Sequence, residues 1–518
     1  MKKIPIIILF LFISHFSYAQ ITFQKTLGGT GDENAYSVKQ TTDGGYIIVG
    51  ETNSFTSGNK DVYLVKTDVN GNYIWTKTYG GPDTEHGYSV QKTTDGGFIV
   101  TGTSFGVGGS DIFLIKTDIN GDTLWTKVYG GTTYDVSSAV QQTTDGGYIV
   151  AGRTSDTGSG YADVYLIKMN PNGDVLWTKT FGGQDSEEST SVQQTTDGGY
   201  IITGYTLSFG AGDYDIYLIK TDANGSLLWS KTIGEAGYEV GNSVQQTSDG
   251  GYIVAGYTSN DFYLIKTDMN GDTLWTKSYG GIDSETCLSV NQIANGGYIM
   301  LGYTKSFGIG NKDVYLINTN SNGDILWTKT FGDTTLYREG YSVMQTIDGG
   351  YIICGNTKIS PAANKDVYLI KTDSLGNSGC IEGSTTPTVI SPPTQVSSPA
   401  TIVDSLLATS SSTTFVIGGG GITNSLCTPV GTNEILTELY FEISPNPSFG
   451  NIKITFKKMI VEGKVEIVNI LGEKIFTETI LSETIKEIII PNLSTGLYFV
   501  NVFDGEKYIC KKIIAAQN

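Results

Sequence analysis

The sequence predicts an all-β protein: a seven-bladed β-propeller of four-stranded blades with N-terminal strand closure, followed by a small C-terminal β-sandwich. Three observations predict it. An Asp-Gly-Gly core recurs at Asp43, Asp95, Asp145, Asp197, Asp249 and Asp348, with Asn295 standing in once, every 46 to 53 residues. Repeats of this length, each holding several short strands, describe a radial array in which no unit buries its apolar faces alone. All six tryptophans (Trp75, Trp125, Trp177, Trp229, Trp275, Trp327) fall in one slot of that repeat. After Asp373 the composition shifts to Ser, Thr, Pro and Gly, and a second set of short alternating strands begins near Leu439.

Met1-Lys2-Lys3, the apolar run from Ile4 to Ile13 and Ser17-Tyr18-Ala19 form a secretory leader over residues 1–19, with cleavage expected after Ala19. The apolar run is about half the length a spanning helix needs. The propeller is expected over residues 20–380. In its second unit Tyr88–Thr93 leads to the Asp95-Gly96-Gly97 turn, then to Phe98–Thr103, a loop through Phe105-Gly106, and Asp111–Lys116. The turn Asp118-Ile119-Asn120-Gly121-Asp122 leads into Leu124–Tyr129. Asn-Gly between two strands predicts a type I′ hairpin, whose two central residues both need positive φ. The Val-Tyr-Leu-Ile runs are apolar on both faces, as strands covered from two sides should be. Recurrent strand glycines such as Gly50 and Gly102 mark a close backbone approach or a bulge.

Seven Asp-Gly-Gly strands are matched by only six tryptophan strands. Ile21–Thr26 aligns with the tryptophan strand and places Phe23 in its slot. This first strand is therefore expected to complete the seventh unit, between Tyr341 and Asp373, and to remove the open edge of a linear array. A β-solenoid is the alternative. The Val-Gln-Gln strand is then innermost and the tryptophan strand outermost, with Thr76, Lys77 and Thr78 giving it a wettable edge.

The formal net charge is −19, which argues against nucleic acid, whose phosphates require a basic footprint. Only two histidines occur. His15 lies in the leader, so a multi-histidine metal site is excluded and a triad could form only around His86. The five cysteines are scattered without a CxxC pair; Cys380 and Cys427 bracket the low-complexity stretch and could pair in an oxidising compartment.

Walking along the meander puts the uniform turns on one face and the variable, acidic connections between units on the other. Variable loops on a rigid frame are where binding residues ride. The candidate ligand-binding residues are Asp83, Glu85, His86, Asp185, Glu187, Glu188, Asp283 and Glu285, for a cation or a cationic or polyhydroxylated ligand. A solvated acidic rim is the plainer alternative. The turns Asp118, Asn120, Asp122 and Asp268, Asn270, Asp272 carry oxygen groups at the 1, 3, 5 spacing of a calcium loop, yet lack its glycine at six and closing glutamate. The strand-opening aspartates, Asp61 to Asp366, recur in all seven units and are expected to accept backbone hydrogen bonds. Phe55, Phe105, Phe209 and Phe307 are expected to pack between blades rather than to stack on sugars. No catalytic residue stands out, although a carboxylate pair from two loops leaves no local motif.

Over residues 21–379 the repeats resemble those of bacterial secreted propellers with Asp-Gly-Gly-Tyr-Ile units, and the Asp-x-Asn-Gly-Asp-x-x-Trp element resembles the quinoprotein-type repeat. The chain departs from the quinoproteins in having seven units and no vicinal cysteines, which removes quinone-dependent oxidation. Residues 381–438 read as a linker or a weakly structured β segment. Residues 439–518 form the last domain, with Ser444-Pro445-Asn446-Pro447, Asn469-Ile470-Leu471-Gly472, Leu493 to Tyr498 and Lys511-Lys512-Ile513-Ile514. This pattern resembles the type A C-terminal sorting domain of the type IX secretion system. The resemblance implies Pro445, Asn446, Pro447, Gly496, Tyr498, Lys511 and Lys512 as sorting-signal residues. It also implies passage through the periplasm to the outer surface of a Gram-negative cell or to the medium, with the secretion machinery as partner.

The expected function is an exported binding or adhesion module for an extracellular glycan or protein. An extracellular carbohydrate-active hydrolase or lyase using loop carboxylates, and a calcium-stabilised structural surface protein, are the alternatives. No cofactor is expected, calcium being the one candidate ion, and neither nucleic acid nor a transmembrane segment after leader cleavage enters the reading.

Overall fold

Short β-branched and aromatic runs between glycine turns leave no helix among the described residues, and so none long and apolar enough to cross a membrane. The computed structural model describes residues 20–379 apart from loop residues 57–58, 107–108, 157, 159, 333–336 and 359–363, together with short stretches of 382–425 and strands between 441 and 515. The leader, Cys380, Cys427, Pro445, Asn446 and Pro447 lie outside the described residues. The chain divides into two compact units, Met1–Val430 and Gly431–Asn518.

In the first unit, β1 (Phe23–Gly28) precedes β2 (Glu33–Gln40), β3 (Tyr46–Thr52), β4 (Asp61–Thr67) and β5 (Tyr73–Gly80). Strands β2 to β5 form an antiparallel meander, and six further repeats follow, the last lacking a fourth strand of its own. That strand is β1, which pairs antiparallel with Lys365–Thr372, Phe23 opposite Lys371 and Leu27 opposite Val367.

Apolar cores lie between successive sheets. Ile47, Val49, Val62 and Leu64 of the first repeat pack on Val90, Val100, Phe113 and Ile115 of the second. Ile352, Cys354, Val367 and Leu369 of the last pack on Tyr46, Ile48, Tyr63 and Val65 of the first. Two-sided cover explains why β4 is apolar throughout: Val62, Tyr63, Leu64 and Val65 alternate in direction, and all four are buried. Each tryptophan caps the next repeat. A Cβ added to Gly121 would stand 2.9 Å from the Trp75 ring, and one on Gly71 would stand 2.6 Å from the Phe23 ring, so Phe23 occupies the tryptophan slot.

The Asn-Gly turn differs from the expected type I′. Only its glycine has positive φ, +78° at Gly121, while Asn120 does not. The Gly121 amide donates to the Asp118 carbonyl and the Asp118 amide to the Asp122 carbonyl, which is a type I turn closed by a glycine bulge. Asp118 selects this form, because its Oδ1 accepts the amides of Asn120 and Asp122 at 2.8 Å each.

A lysine from the third strand holds each Asp-Gly-Gly turn. Lys66, Lys116, Lys168, Lys220, Lys266 and Lys371 reach the turn aspartate at 2.8–3.0 Å. Where Asn295 replaces the aspartate, Asn318 replaces the lysine. Burial pushes the Asp145 carboxyl up, but hydrogen bonds from Thr143, Lys168 and the Gly147 amide outweigh it and hold it at about 2. Asp145→Asn leaves the buried Lys168 ammonium with neutral partners alone, and should cost about 1.5–3 kcal/mol in urea unfolding. Adding Lys168→Asn, which copies the natural Asn295/Asn318 unit, should recover most of that loss. Because the folded-state pKa is depressed, this contribution is complete above about pH 4 and disappears as the pH falls toward 2.

Of the two readings of residues 381–438, a linker or a β segment, residues 382–425 follow the second. Seven short strands (Glu382–Gly383, Thr388–Ile390, Gln395–Ser397, Ile402–Asp404, Thr409–Ser411, Val416–Gly418 and Ile422–Ser425) each pair antiparallel with the outer strand of one sheet. They visit the sheets in reverse chain order, from the sixth back to the first and then the seventh. Val389 lies opposite Tyr279, Val396 opposite Ile233, Val403 opposite Phe181, Ser410 opposite Tyr129 and Ile417 opposite Tyr79, a step of seven residues per sheet. The tryptophan strand is thus not the edge. The belt pairs the C-terminal two to four residues of each such strand, Thr78 to Gly80 in the first repeat, and the first unit extends to Val430.

In the second unit one long strand, Asn451–Asn469, pairs with Phe441–Ser444, Lys474–Ile489 and Gly496–Phe503; Tyr508–Ala515 adds to the last. The register breaks between Thr455 and Ile460. The two halves, carrying Ile452 and Ile454 on one side of the break and Val465 and Ile467 on the other, share one core with Tyr498 and Val500. The expected sandwich is one continuous hydrogen-bonded sheet folded across its long strands. Gly496 and Tyr498 lie on an inner strand; Lys511 and Lys512 lie on the outer one.

Candidate functional site

Repetition makes a scaffold, so chemistry belongs where the repeats disagree. Opposite the uniform turns, the connections between sheets are tied to the third-strand loops: the Asn53 amide donates to the Asp32 carbonyl and the Glu85 amide to the Lys60 carbonyl. At this end every inner strand carries a bulge. The β2–β3 register shifts between Ala35 and Ser37, which takes Tyr36 out of the ladder, and the shift recurs in all seven sheets. A bulge turns a side chain away from the packed faces. Gly50 sits opposite, where any Cβ would overlap the Asn34 carbonyl, so the strand glycines do mark a close approach.

The bulged residues are not a repeat. Tyr341, Tyr36 and Tyr88, from the seventh, first and second sheets, form an arc with ring centroids 5.3 and 5.6 Å apart. The remaining four are Ser138, Thr190, Asn242 and Leu288. Beside the arc, the residue after the strand glycine also varies: Glu51, Thr103, Arg153, Tyr205, Tyr257, Tyr303 and Asn356. Glu51 is buried and accepts from Asn34 at 2.7 Å, from Lys60 at 2.6 Å and from His86 Nδ1. Burial alone would raise its pKa, but His86 and Lys60 outweigh burial and bring it to about 2. The His86 ring stacks on Tyr88 at 5.9 Å and meets Phe105 edge-on at 5.3 Å. Two further ion pairs flank the arc. Arg153 meets Glu188 at 3.1 Å, and Lys312 meets Glu339 at 2.7 Å while lying 4.1 Å above Tyr303. Burial keeps the phenols neutral, that of Tyr88 pushed up to about 12 and those of Tyr36 and Tyr341 higher.

The expected site residues divide. His86 and Glu188 belong to this cluster. Asp83, Asp185 and Asp283 lie exposed on the connecting loops. Glu85, Glu187 and Glu285 are buried, and their carboxylates accept loop amides from Gly81, Gly183 and Gly281 at 2.7–3.1 Å, so they anchor the loops and are not exposed on them. The Asp118 and Asp268 carboxylates are taken by turn amides. Asp122 and Asp272 pair at 3.0 Å with Lys77 and Lys231 of the preceding repeat, while the Asn120 and Asn270 side chains donate back to Asp118 and Asp268. Among the described residues no group of three or more metal-ligating side chains forms. Phe55, Phe209 and Phe307 pack on Tyr63, Tyr217 and Tyr315. Cys287 and Cys354 are buried free thiols.

The strand-opening aspartates do something sequence reading did not foresee. Asp215 and Asp313 accept loop amides as expected, but six of the seven also lie beside the first-strand acid of the next repeat: Asp61 with Glu85, Asp111 with Asp135, Asp163 with Glu187, Asp215 with Glu239, Asp261 with Glu285, and Asp366 with Glu33. A Cβ on the glycine between them, such as Gly80, Gly182 or Gly28, would overlap one carboxylate and stand 2.6–2.7 Å from the other. At the seventh junction Asp313 has Arg338 as the corresponding residue.

A neutral aromatic arc flanked by ion pairs and hydroxyl donors suits recognition of a ligand with both apolar faces and polar edges. The class this defines is an all-β repeat protein of propeller-like, four-stranded antiparallel sheets with a polar aromatic mouth. Residues 442–516 match the secretion system C-terminal sorting domain, so the chain carries a type IX sorting tail, which marks it for export to the cell surface or the medium. Among solved structures, Sqt1 from Chaetomium thermophilum is similar at 9% identity and a TM-score of 0.38, covering 68% of this chain and 99% of that one. No curated protein matches the chain.

Proposed function

We propose that the first unit, residues 20–430, is a closed seven-bladed propeller that binds an extracellular glycan at its tyrosine-lined mouth, and that the sorting tail delivers it outside the cell through the type IX machinery. The observation that carries this reading is the arc of Tyr341, Tyr36 and Tyr88, placed by bulges at positions where the other repeats carry unrelated residues. Tyrosines present rigid faces for stacking on sugar rings and hydroxyls for their edges. Glu51, His86, Arg153 and Glu188 supply further polar contacts, and the exposed Asp83, Asp185 and Asp283 form the outer rim of the same end.

A glycan array probed with the full chain, followed by calorimetry on the best ligand, tests the proposal. Tyr36→Ala and Tyr88→Ala should each weaken binding about tenfold or more, the loss of a central aromatic anchor, while Asp118→Ala on the opposite face should leave affinity unchanged. Binding that survives both tyrosine changes would refute the placement. Release of a shortened saccharide from a bound polysaccharide would favour the hydrolase or lyase reading.

A further inference from the structure

The junction carboxylates adjoin residues of the tyrosine arc's surroundings, Glu85 next to His86 and Glu187 next to Glu188, but have no role in that reading. Asp61 is 3% exposed, and among the described residues its Oδ1 has no hydrogen-bond partner. A Cβ on Gly80 would stand 2.3 Å from that oxygen and 2.7 Å from Glu85 Oε2, which accepts from the Gly81 amide at 3.1 Å. Two buried anions face each other there, and burial without a compensating charge is strongly unfavourable. The seventh junction shows what the arrangement calls for. Arg338, 2% exposed, stands where the other repeats have Glu or Asp, and its Nε donates to Thr357 at 3.2 Å, where Glu33, Glu187, Glu239 and Glu285 accept from the equivalent threonines. At one position in seven, therefore, a cationic side chain stands in place of the acid, 5.2 Å over the Tyr368 ring.

We propose that the six carboxylate pairs are sites for a divalent cation of calcium type, and that Arg338 supplies at the seventh junction the positive charge the ion supplies at the others. Hard oxygen donors without histidine or cysteine suit calcium rather than zinc or copper. The electrostatics agree. Burial, then Glu85, pushes Asp61 up to about 6; burial, then Glu33 and Asp32, pushes Asp366 up to about 6. Burial, opposed by Thr154 and the Gly131 amide and reinforced by Asp156, pushes Asp135 up to about 7. Among the described residues, the causes that act on these three are burial, neighbouring carboxylates, Thr154 and the Gly131 amide. Around Glu85 the other charged groups are Asp83 and His86. Tyr63 and Tyr73 face Glu33 and Asp366, and Tyr165 faces Asp135.

The test is calcium titration of the EDTA-stripped full chain at pH 7.5, by calorimetry and thermal melting. Millimolar calcium should raise Tm by about 5 °C or more. Arg338→Glu should add one calcium to the stoichiometry. The double variant Asp61→Asn/Glu85→Gln, which neutralises one pair without adding bulk, should remove one and keep the fold. A Tm indifferent to calcium and EDTA, or a stoichiometry that neither variant changes, overturns the proposal. Unchanged calcium behaviour with a Tm that rises on acidification to pH 5 would assign a shared proton to the pairs instead.

Discussion

A chain lacking residues 20–28 is expected to lose its folded monomer altogether. β1 is nine-tenths or more buried from Phe23 to Thr26, and Leu27 is fully buried. It sits inside its sheet, with Lys365–Thr372 on one side and Ile422–Ser425 on the other. Its loss would leave the seventh sheet with three strands, detach the end of the belt and uncover Gly71, Tyr46 and Tyr63 in the first. Truncating a buried leucine alone costs about 2–5 kcal/mol. Leu27→Ala should therefore lower the urea midpoint visibly, and removal of the whole strand should exceed the 5–15 kcal/mol that holds a typical domain. Circular dichroism and size-exclusion chromatography of the trimmed chain read the result. A soluble trimmed monomer with an unchanged melting temperature would show that β1 is an accessory strand.

Which parts of this architecture are legible in the sequence follows from what repeats. Seven copies of one hydrogen-bonding solution average out local noise, so the strands, the turn positions and the tryptophan slot can all be read, and Phe23 in that slot locates the missing strand. The exact turn type could not be read, because Asn-Gly serves both a type I′ hairpin and a type I turn with a glycine bulge; the preceding Asp118 decides between them through its side-chain acceptor. The Asp–Lys pairing was visible in principle, since Asn295 and Asn318 change together. The mouth was hidden for the opposite reason. Acidic loops drew attention as variable segments, whereas Glu51, Arg153 and Tyr205 lie within strands, one residue after a shared glycine. Comparing copies at that single position would have found them. Glu85, Glu187 and Glu285 misled because an acid near a loop looks exposed until its carboxylate is seen to accept the loop's own amides.

The belt carries the second large expectation. Ending the chain at residue 380 should convert a monomer into a concentration-dependent oligomer while changing its melting temperature little. Each belt strand places two to four residues against an outer strand. A backbone hydrogen bond contributes about 0.5–1.5 kcal/mol net, and ordering one residue's backbone costs about 1–2 kcal/mol. With about one bond formed per residue ordered, the two terms nearly offset, so the belt adds little to the stability of the sheets beneath it. Its effect is on their edges. Without it, the Thr78–Gly80 segment and its six counterparts present unpaired N–H and C=O groups that lengthen the open edge, which is a template for another chain. Lys77 and its equivalents discourage such pairing only weakly, because their ammonium groups are engaged by Asp122, Asp174, Asp272 and Asp324 of the next repeat. Light scattering on chains 20–380 and 20–430 across a hundredfold concentration range separates the possibilities: the shorter should gain mass as concentration rises, and the longer should remain a single mass throughout. A monomeric 20–380 chain at the highest concentration would mean that the tryptophan strands protect their own edges and that the belt has another purpose.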